Sequence, residues 1–298
     1  MSESATSSPM LEPATAWIAP VRRRGTLRRL IANPLSAAGL ALVLFAVAVA
    51  LAAPLIAPAD PIAMMPDLRL QPPSLAHWMG TDDGGRDILS RIIFGTRSSL
   101  LTALGILATA SVTGTAIGLA AGYFGGWVDE ILMRITDMFL AFPALVLAMG
   151  LAATLGPSLF NAMLATAVVW WPWYARLVRG QALHLKQEAF VEAARVSGAS
   201  ALRIAFHHIL RNCLTPIIVQ MSLDIGYAIL TLASLSFIGL GAQPPTPEWG
   251  SMVSIGRDYF LDQWWMVTFP GLAIFLAVMA FNLLGDGLQE ALSPRLRR

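Results

Sequence analysis

Two carboxylates stand alone inside apolar stretches of this chain, and any chemistry within those stretches would begin with them. Asp224 interrupts a run from about Leu214 to Leu240 that also carries Ser222, Thr231, Ser234 and Ser236, and Asp137 lies within a run from about Ile131 to Thr154. A carboxylate in such a segment is costly unless it is paired or faces water, so Asp224, Asp137 and Ser222 are candidates for a polar path through a membrane. Each carboxylate also has a plainer reading: Asp137 can pair with Arg134 three residues earlier, and Asp224 can hydrogen-bond within a helix bundle. A third group, Asp82, Asp83 and Asp87, resembles a cation site in composition, but Arg86, Arg91 and Gly84-Gly85 beside it favour an ion-paired loop with Asp82 or Asp83 capping a short helix. Adjacent His207 and His208 point to different faces of a helix and make a poor metal pair. Cys213 is the single cysteine, which excludes an internal disulfide, and its apolar neighbours suit a packed thiol. The one lysine, Lys186, follows Leu185 and not Gly, so there is no phosphate-binding Walker loop; neither H-E-x-x-H nor G-x-S-x-G occurs. No metal site, bound cofactor or catalytic constellation is expected in this chain.

The longest polar interruption of the C-terminal two thirds runs from Glu188 to Pro216. It predicts two short helices and a turn. Glu188 to Val196 holds good helix formers, with Glu192 one turn from Glu188 and within reach of Arg195. Gly198 can take the left-handed conformation that ends such a helix. Ser200 can cap the next one, on which Leu202, Phe206 and Ile209 form an apolar face and Arg203, His207 and Arg211 a basic one. A polar helix–turn–helix between membrane spans calls for a soluble partner.

The elements that would position these groups are membrane helices. The chain is 56% hydrophobic and 13% charged with a net charge of +2, whereas a soluble protein keeps about a quarter of its residues charged. The small basic excess suits the cytoplasmic flanks of spans and not nucleic-acid binding. An arginine cluster, Arg22 to Arg24 with Arg28 and Arg29, precedes an uncharged first span from Leu35 to Ile56. A second span from about Ser98 to Tyr123 carries Gly114, Gly118 and Gly122 at every fourth residue, a spacing that lets a neighbouring helix approach closely. The third covers about Ile131–Thr154 and the fourth about Leu159–Leu177, the latter closing on an interfacial belt of Trp170, Trp171, Trp173 and Tyr174. The fifth follows the polar interruption, and the last covers about Trp265–Leu284. Six spans place both termini on one side, and the arginine bias makes that side the cytoplasm. The expected organisation is a tail over 1–33, a first helix over 34–57, an extracytoplasmic loop over 58–97, a five-helix core over 98–291 containing the polar loop at 186–212, and a tail over 292–298.

Several segments, in order, resemble one family. Glu192-Ala193-Ala194, Gly198 and the Ile-Leu at 209–210 resemble the EAA loop of ATP-binding-cassette (ABC) importer permeases, although Arg211 stands where that family usually has Pro. GTDDGGRDILSR at 80–91 is similar to a signature found after the first span in dipeptide, oligopeptide and nickel importer permeases. DEILMRITDMFLAFP at 129–143 is similar to the same family, as is LSFIGLGAQPPTPEWGSMVSIGRDYF at 235–260, where Pro247, Glu248 and Trp249 open a short helix. The resemblance implies an all-α integral membrane protein with the type I ABC importer permease fold and about six transmembrane helices. It implies coupling to ATPases through Glu188, Glu192, Ala193, Ala194, Gly198, Ala199 and Arg203. It places Asp82, Asp83, Arg86, Asp87, Arg91, Pro247, Glu248 and Trp249 in extracytoplasmic loops. The implied partners are a second, similar permease, two cytoplasmic ATPase subunits that carry ATP and magnesium, and an extracytoplasmic solute-binding protein, all at the bacterial inner membrane. The solute would be a di- or oligopeptide, with nickel or another small solute as the alternative. A gradient-driven transporter would show an acidic partner for Asp224 and inverted repeats, and the sequence shows neither.

Overall fold

The computed structural model describes residues 26–292, so Arg22 to Arg24, Arg295, Arg297, Arg298 and most of both tails lie outside the described residues. Every named element is helical, and each helix starts where a cap allows it. Asn33 ends α1 (Thr26–Ala32) and caps α2 (Pro34–Ile56), its side chain accepting from the Leu35 N–H at 3.1 Å, with Pro34 in the first turn where its missing N–H has no consequence. Helix α3 (Ile88–Phe124) begins ten residues before the expected second span. Asp87 is the reason: its carboxylate accepts from the Ser90 N–H and hydroxyl, both at 2.7 Å, and holds the first turn in place. Neither Asp82 nor Asp83 caps this helix.

The third span is not one straight helix. It consists of α4 (Gly126–Leu140) and α5 (Ala144–Leu155), bent by 88° at a break that Pro143 enforces. Ser158 caps α6 (Leu159–Leu185) by accepting from the Asn161 N–H at 3.0 Å. Helix α7 (Ala189–Val196) ends at Gly198, whose φ of +80° requires glycine's freedom, with the Ala199 N–H reaching back to the Ala194 carbonyl at 3.1 Å. From Ser200 onward the expected short helix and separate span are one element, α8 (Ala201–Phe237). A π-helical turn at Ile204–Ile209 joins its parts, and Pro216 lies inside it rather than at its start. Helix α9 (Trp249–Gly256) starts at Glu248, and α10 (Trp265–Leu292) closes the described chain.

Among the described residues, α2, α3, α8 and α10 are long and apolar enough to cross a bilayer, and the bent pair makes a fifth candidate. Against the six spans expected, α6 has the length, but its tryptophans, Tyr174, Arg176 and Arg179 lower its mean hydropathy. It packs as a core helix nonetheless. Gly114, Gly118 and Gly122 face it, so a methyl group at Gly114 or Gly118 would strike the carbonyl of Trp171 or Ala175, and one at Gly122 would lie 2.7 Å from the Ala182 methyl. Tyr174 and Val178 of α6, Ile106 and Leu107 of α3, and Ile229 and Leu232 of α8 are buried together at the centre. Phe45, Leu51, Leu55 and Phe275 stand exposed on the outside, as lipid-facing side chains do.

Candidate functional site

Functional groups gather at three levels along the helices. At the loop end lies a ledge built from residues 58–87 and α9. Asp82 organises it: Oδ1 accepts from the N–H groups of Gly84 (2.8 Å) and Arg86 (2.9 Å), and Oδ2 accepts from Arg86 Nε (2.7 Å) and faces Arg91 Nε at 3.4 Å. Arg86 also reaches the more exposed Asp83 at 3.0 Å, and Asp87 meets His77 Nδ1 at 3.0 Å. All three aspartates are thus occupied by arginine, histidine or backbone donors. Arg91 donates to the carbonyls of Pro61 (2.9 Å) and Pro245 (3.2 Å), 30 and 154 residues away from it, which ties two distant loops onto the head of α3. Glu248 is buried and caps α9, accepting from the Gly250 and Ser251 N–H groups, each at 2.9 Å. Burial pushes its carboxyl above the ordinary range, with those two N–H groups pulling it back part of the way. Trp249, after Pro247 and Glu248, donates to the Ile92 carbonyl at 3.1 Å and fixes α9 on α3.

At mid-helix, Asp224 of α8 accepts from Tyr174 of α6 at 2.8 Å and from Gln220 at 2.9 Å. The other two path candidates are elsewhere. Ser222 is buried and donates to its own helix at the Val219 carbonyl (2.7 Å). Asp137 pairs across helices with Arg176 at 2.6 Å and not with Arg134, because α4 lies against α6 with that face turned toward it. A second pair missing from the sequence reading, Asp129 with Arg179, is bidentate at 2.6 and 2.7 Å. Its members are 50 residues apart, and no local spacing rule could have matched them.

At the opposite end is the segment that the resemblance implies for coupling, called the coupling segment below. Val191 is its buried anchor, while Glu192, Ala193, Gly198 and Arg203 are exposed and Glu188, Ala194 and Ala199 are partly so. Glu192 and Arg195 pair at 3.0 Å on the surface. The apolar face expected from Leu202, Phe206 and Ile209 is split. The π turn shifts the helical phase, so Ile209 is buried with Ile204, while Leu202 and Phe206 are each 61% exposed beside Val196 at 82%.

Two family models match this chain: the binding-protein-dependent transport system inner membrane component over residues 114–298, and the N-terminal transmembrane domain of oligopeptide transport permease C over 23–73. The chain is 51% identical to the probable D,D-dipeptide transport system permease protein of Escherichia coli, over 88% of each chain. The chain belongs to the ABC importer permeases. It is also 45% identical to a dipeptide transport system permease protein of Alkalihalophilus pseudofirmus, over 98% of this chain and 95% of that one. Against a glutathione transport system permease protein of Pectobacterium atrosepticum the identity is 49% over 76% and 75%. As a permease of this family it is a multi-pass inner-membrane protein, and its coupling segment falls within the matched domain whereas most of the ledge precedes it.

Proposed function

We propose that this permease carries short peptides into the cell as one half of a channel whose other half is a second, similar permease. Two ATPase subunits that hold ATP and magnesium dock on the coupling segment, and a solute-binding protein docks on the ledge. Both termini then lie in the cytoplasm and the ledge lies outside. The chain itself hydrolyses nothing. Peptide is preferred over nickel or another small solute because the relatives above are named for dipeptides and glutathione.

The observation that carries this reading is the continuity of α8. One helix begins in the coupling segment and passes Asp224 on its way to the ledge, so a push on α7 and the first turn of α8 is carried along one continuous element to the middle of the membrane. The left-handed Gly198 sits where α7 and α8 join, and the π turn follows it inside the first part of α8, at Ile204–Ile209. When the ATPases close on ATP, the coupling segments are drawn together and the helices above them separate at one end and meet at the other. Gly198→Asp tests this. Nothing lies within 4 Å of a Cβ built there, so the side chain fits, but the φ of +80° is strained for any other residue. ATP-driven dipeptide uptake by the reconstituted importer should fall by at least about tenfold. Uptake at the wild-type level would remove the coupling role.

A further inference from the structure

One row of polar side chains on α8 has no role in coupling, and only its Asp224 is bonded to a neighbouring helix. Gln220, Asp224, Tyr227, Thr231 and Ser234 recur at spacings of four and three residues and so form a single line along one face. All five reach the surface of the subunit, Tyr227 being 65% exposed, whereas Ser222 and Ser236 are buried. From Gln220 to Ser234 the row rises about 21 Å, most of the depth of a hydrocarbon core of about 30 Å. Lipid tails offer such groups no partner. Ser234 donates to the Leu230 carbonyl of its own helix at 2.8 Å and Asp224 accepts from Tyr174 and Gln220, but the exposed Tyr227 phenol has no hydrogen-bond partner among the described residues. The face of α8 turned away from the row carries apolar Leu214 and Ile218, both exposed, as a lipid-facing side should.

Asp224 is also held in a manner suited to a cation. Tyr174 donates to one oxygen and Gln220 to the other, which fixes the carboxylate, while its capacity of about four acceptor sites leaves room for further donors. At its far end the row meets a chamber of about 280 Å³ lined by Leu145, Met149, Ser234, Phe237, Gly250 and Val253, open on one side and almost wholly apolar.

We propose that this face of α8 is one wall of the solute track, that Asp224 receives the ammonium of a peptide's free amino end, and that the chamber receives its side chains. The assignment rests on the peptide-importer reading given above, with the second permease forming the opposite wall. The two stations are ten residues apart, about 15 Å along the helix. A dipeptide reaches only about 7 Å, so it occupies one station and then the other.

The test uses the importer assembled with its partner subunits in proteoliposomes, in a Cys213→Ser background. Tyr227→Cys, Thr231→Cys and Ser234→Cys are each exposed to a charged, membrane-impermeant methanethiosulfonate, with Ile218→Cys as the lipid-facing control. Thiols become thiolates in water and not in hydrocarbon, so the row should label at least about tenfold faster than the control. Dipeptide delivered by the binding protein should slow that labelling. Asp224→Asn should lower the peptide imported per ATP hydrolysed by about tenfold, and Asp224→Glu should restore most of it. A wild-type assembly that imports dipeptide while its row labels no faster than Ile218→Cys would overturn the track and make the row a dry contact with the second permease. Equal import by Asp224→Asn would overturn the ammonium station. If the wild-type assembly imports no dipeptide at all, the peptide reading and the ammonium station fall together, while the labelling still decides whether the row lines water.

Discussion

The ledge and the coupling segment are made of the same charged residue types and handle them in opposite ways. On the ledge, Asp82, Arg86, Asp87, Arg91 and Glu248 are each at most 5% exposed, and their hydrogen bonds run to one another and to the backbone of the loops they pin. In the coupling segment Glu192 and Arg195 expose 62% and 50% of their side chains, and large apolar side chains stand free beside them. A buried network of ion pairs and backbone hydrogen bonds rigidifies what it connects, even though Arg86 Nη1 and Arg91 Nη2 are left without a partner among the described residues. An exposed pair adds at most about 1 kcal/mol to the fold and leaves its donors and acceptors for a partner. One end is therefore a fixed platform and the other leaves its charged and apolar side chains open, which is what docking of a partner there would require, with α3 and α8 running between them.

The largest effect on stability is expected from Asp82→Ala. It leaves the guanidinium groups of Arg86 and Arg91 buried without their shared acceptor and frees two backbone N–H groups, and loss of one member of a buried ion pair costs about 3–5 kcal/mol. The melting temperature of the purified permease should drop by several degrees. A midpoint within about a degree of wild type would mean that the ledge is no more rigid than the coupling segment.

How much of this was legible beforehand depends on how far apart the interacting residues lie. The all-helical membrane fold was readable from composition and apolar runs, and the family from short motifs that keep their order. Local pairs such as Glu192 with Arg195 follow from helical spacing. The partners of Asp137 and Asp129 do not, because Arg176 and Arg179 are 39 and 50 residues away and meet them only once α4 folds back at Pro143. The bend itself was hidden for a related reason: hydropathy is blind to direction, and Ile131 to Thr154 reads as one apolar run whether straight or folded. The burial of Ser222 was not readable because a serine's type gives no information about which face of a helix it occupies, whereas the row from Gln220 to Ser234 has a periodic spacing.

A smaller effect, and one that pH reveals, is expected at Glu248. Its carboxyl is raised by burial above the ordinary value of 4.5, so the folded state binds its proton more tightly than the unfolded state does. The stability linked to that proton is fully present below the ordinary value and is lost as pH climbs through the raised one. Glu248→Gln removes the titration but leaves one cap donor without its oxygen, at about 1 kcal/mol. The variant should therefore be the less stable protein in acid, and the gap should narrow as pH rises. Parallel melting curves across the whole range would show that Glu248 is not held in the dry interior of the ledge.

The smallest effect on stability is expected from Glu192→Arg, and it sharpens the contrast most. The substitution removes an exposed ion pair and places like charges three residues apart, which together cost well under about 1 kcal/mol. Heat should barely distinguish the variant from wild type. Its partners should: a carboxylate replaced by a cation reverses the charge presented beside Val196, Leu202 and Phe206, so ATPase subunits should no longer co-purify with the tagged permease while the second permease still does. Full retention of the ATPases would locate their grip elsewhere on the coupling side. Loss of the second permease as well would mean that Glu192 supports the subunit's own fold, and the distinction between a platform and a gripped surface would fail at the residue chosen to represent it.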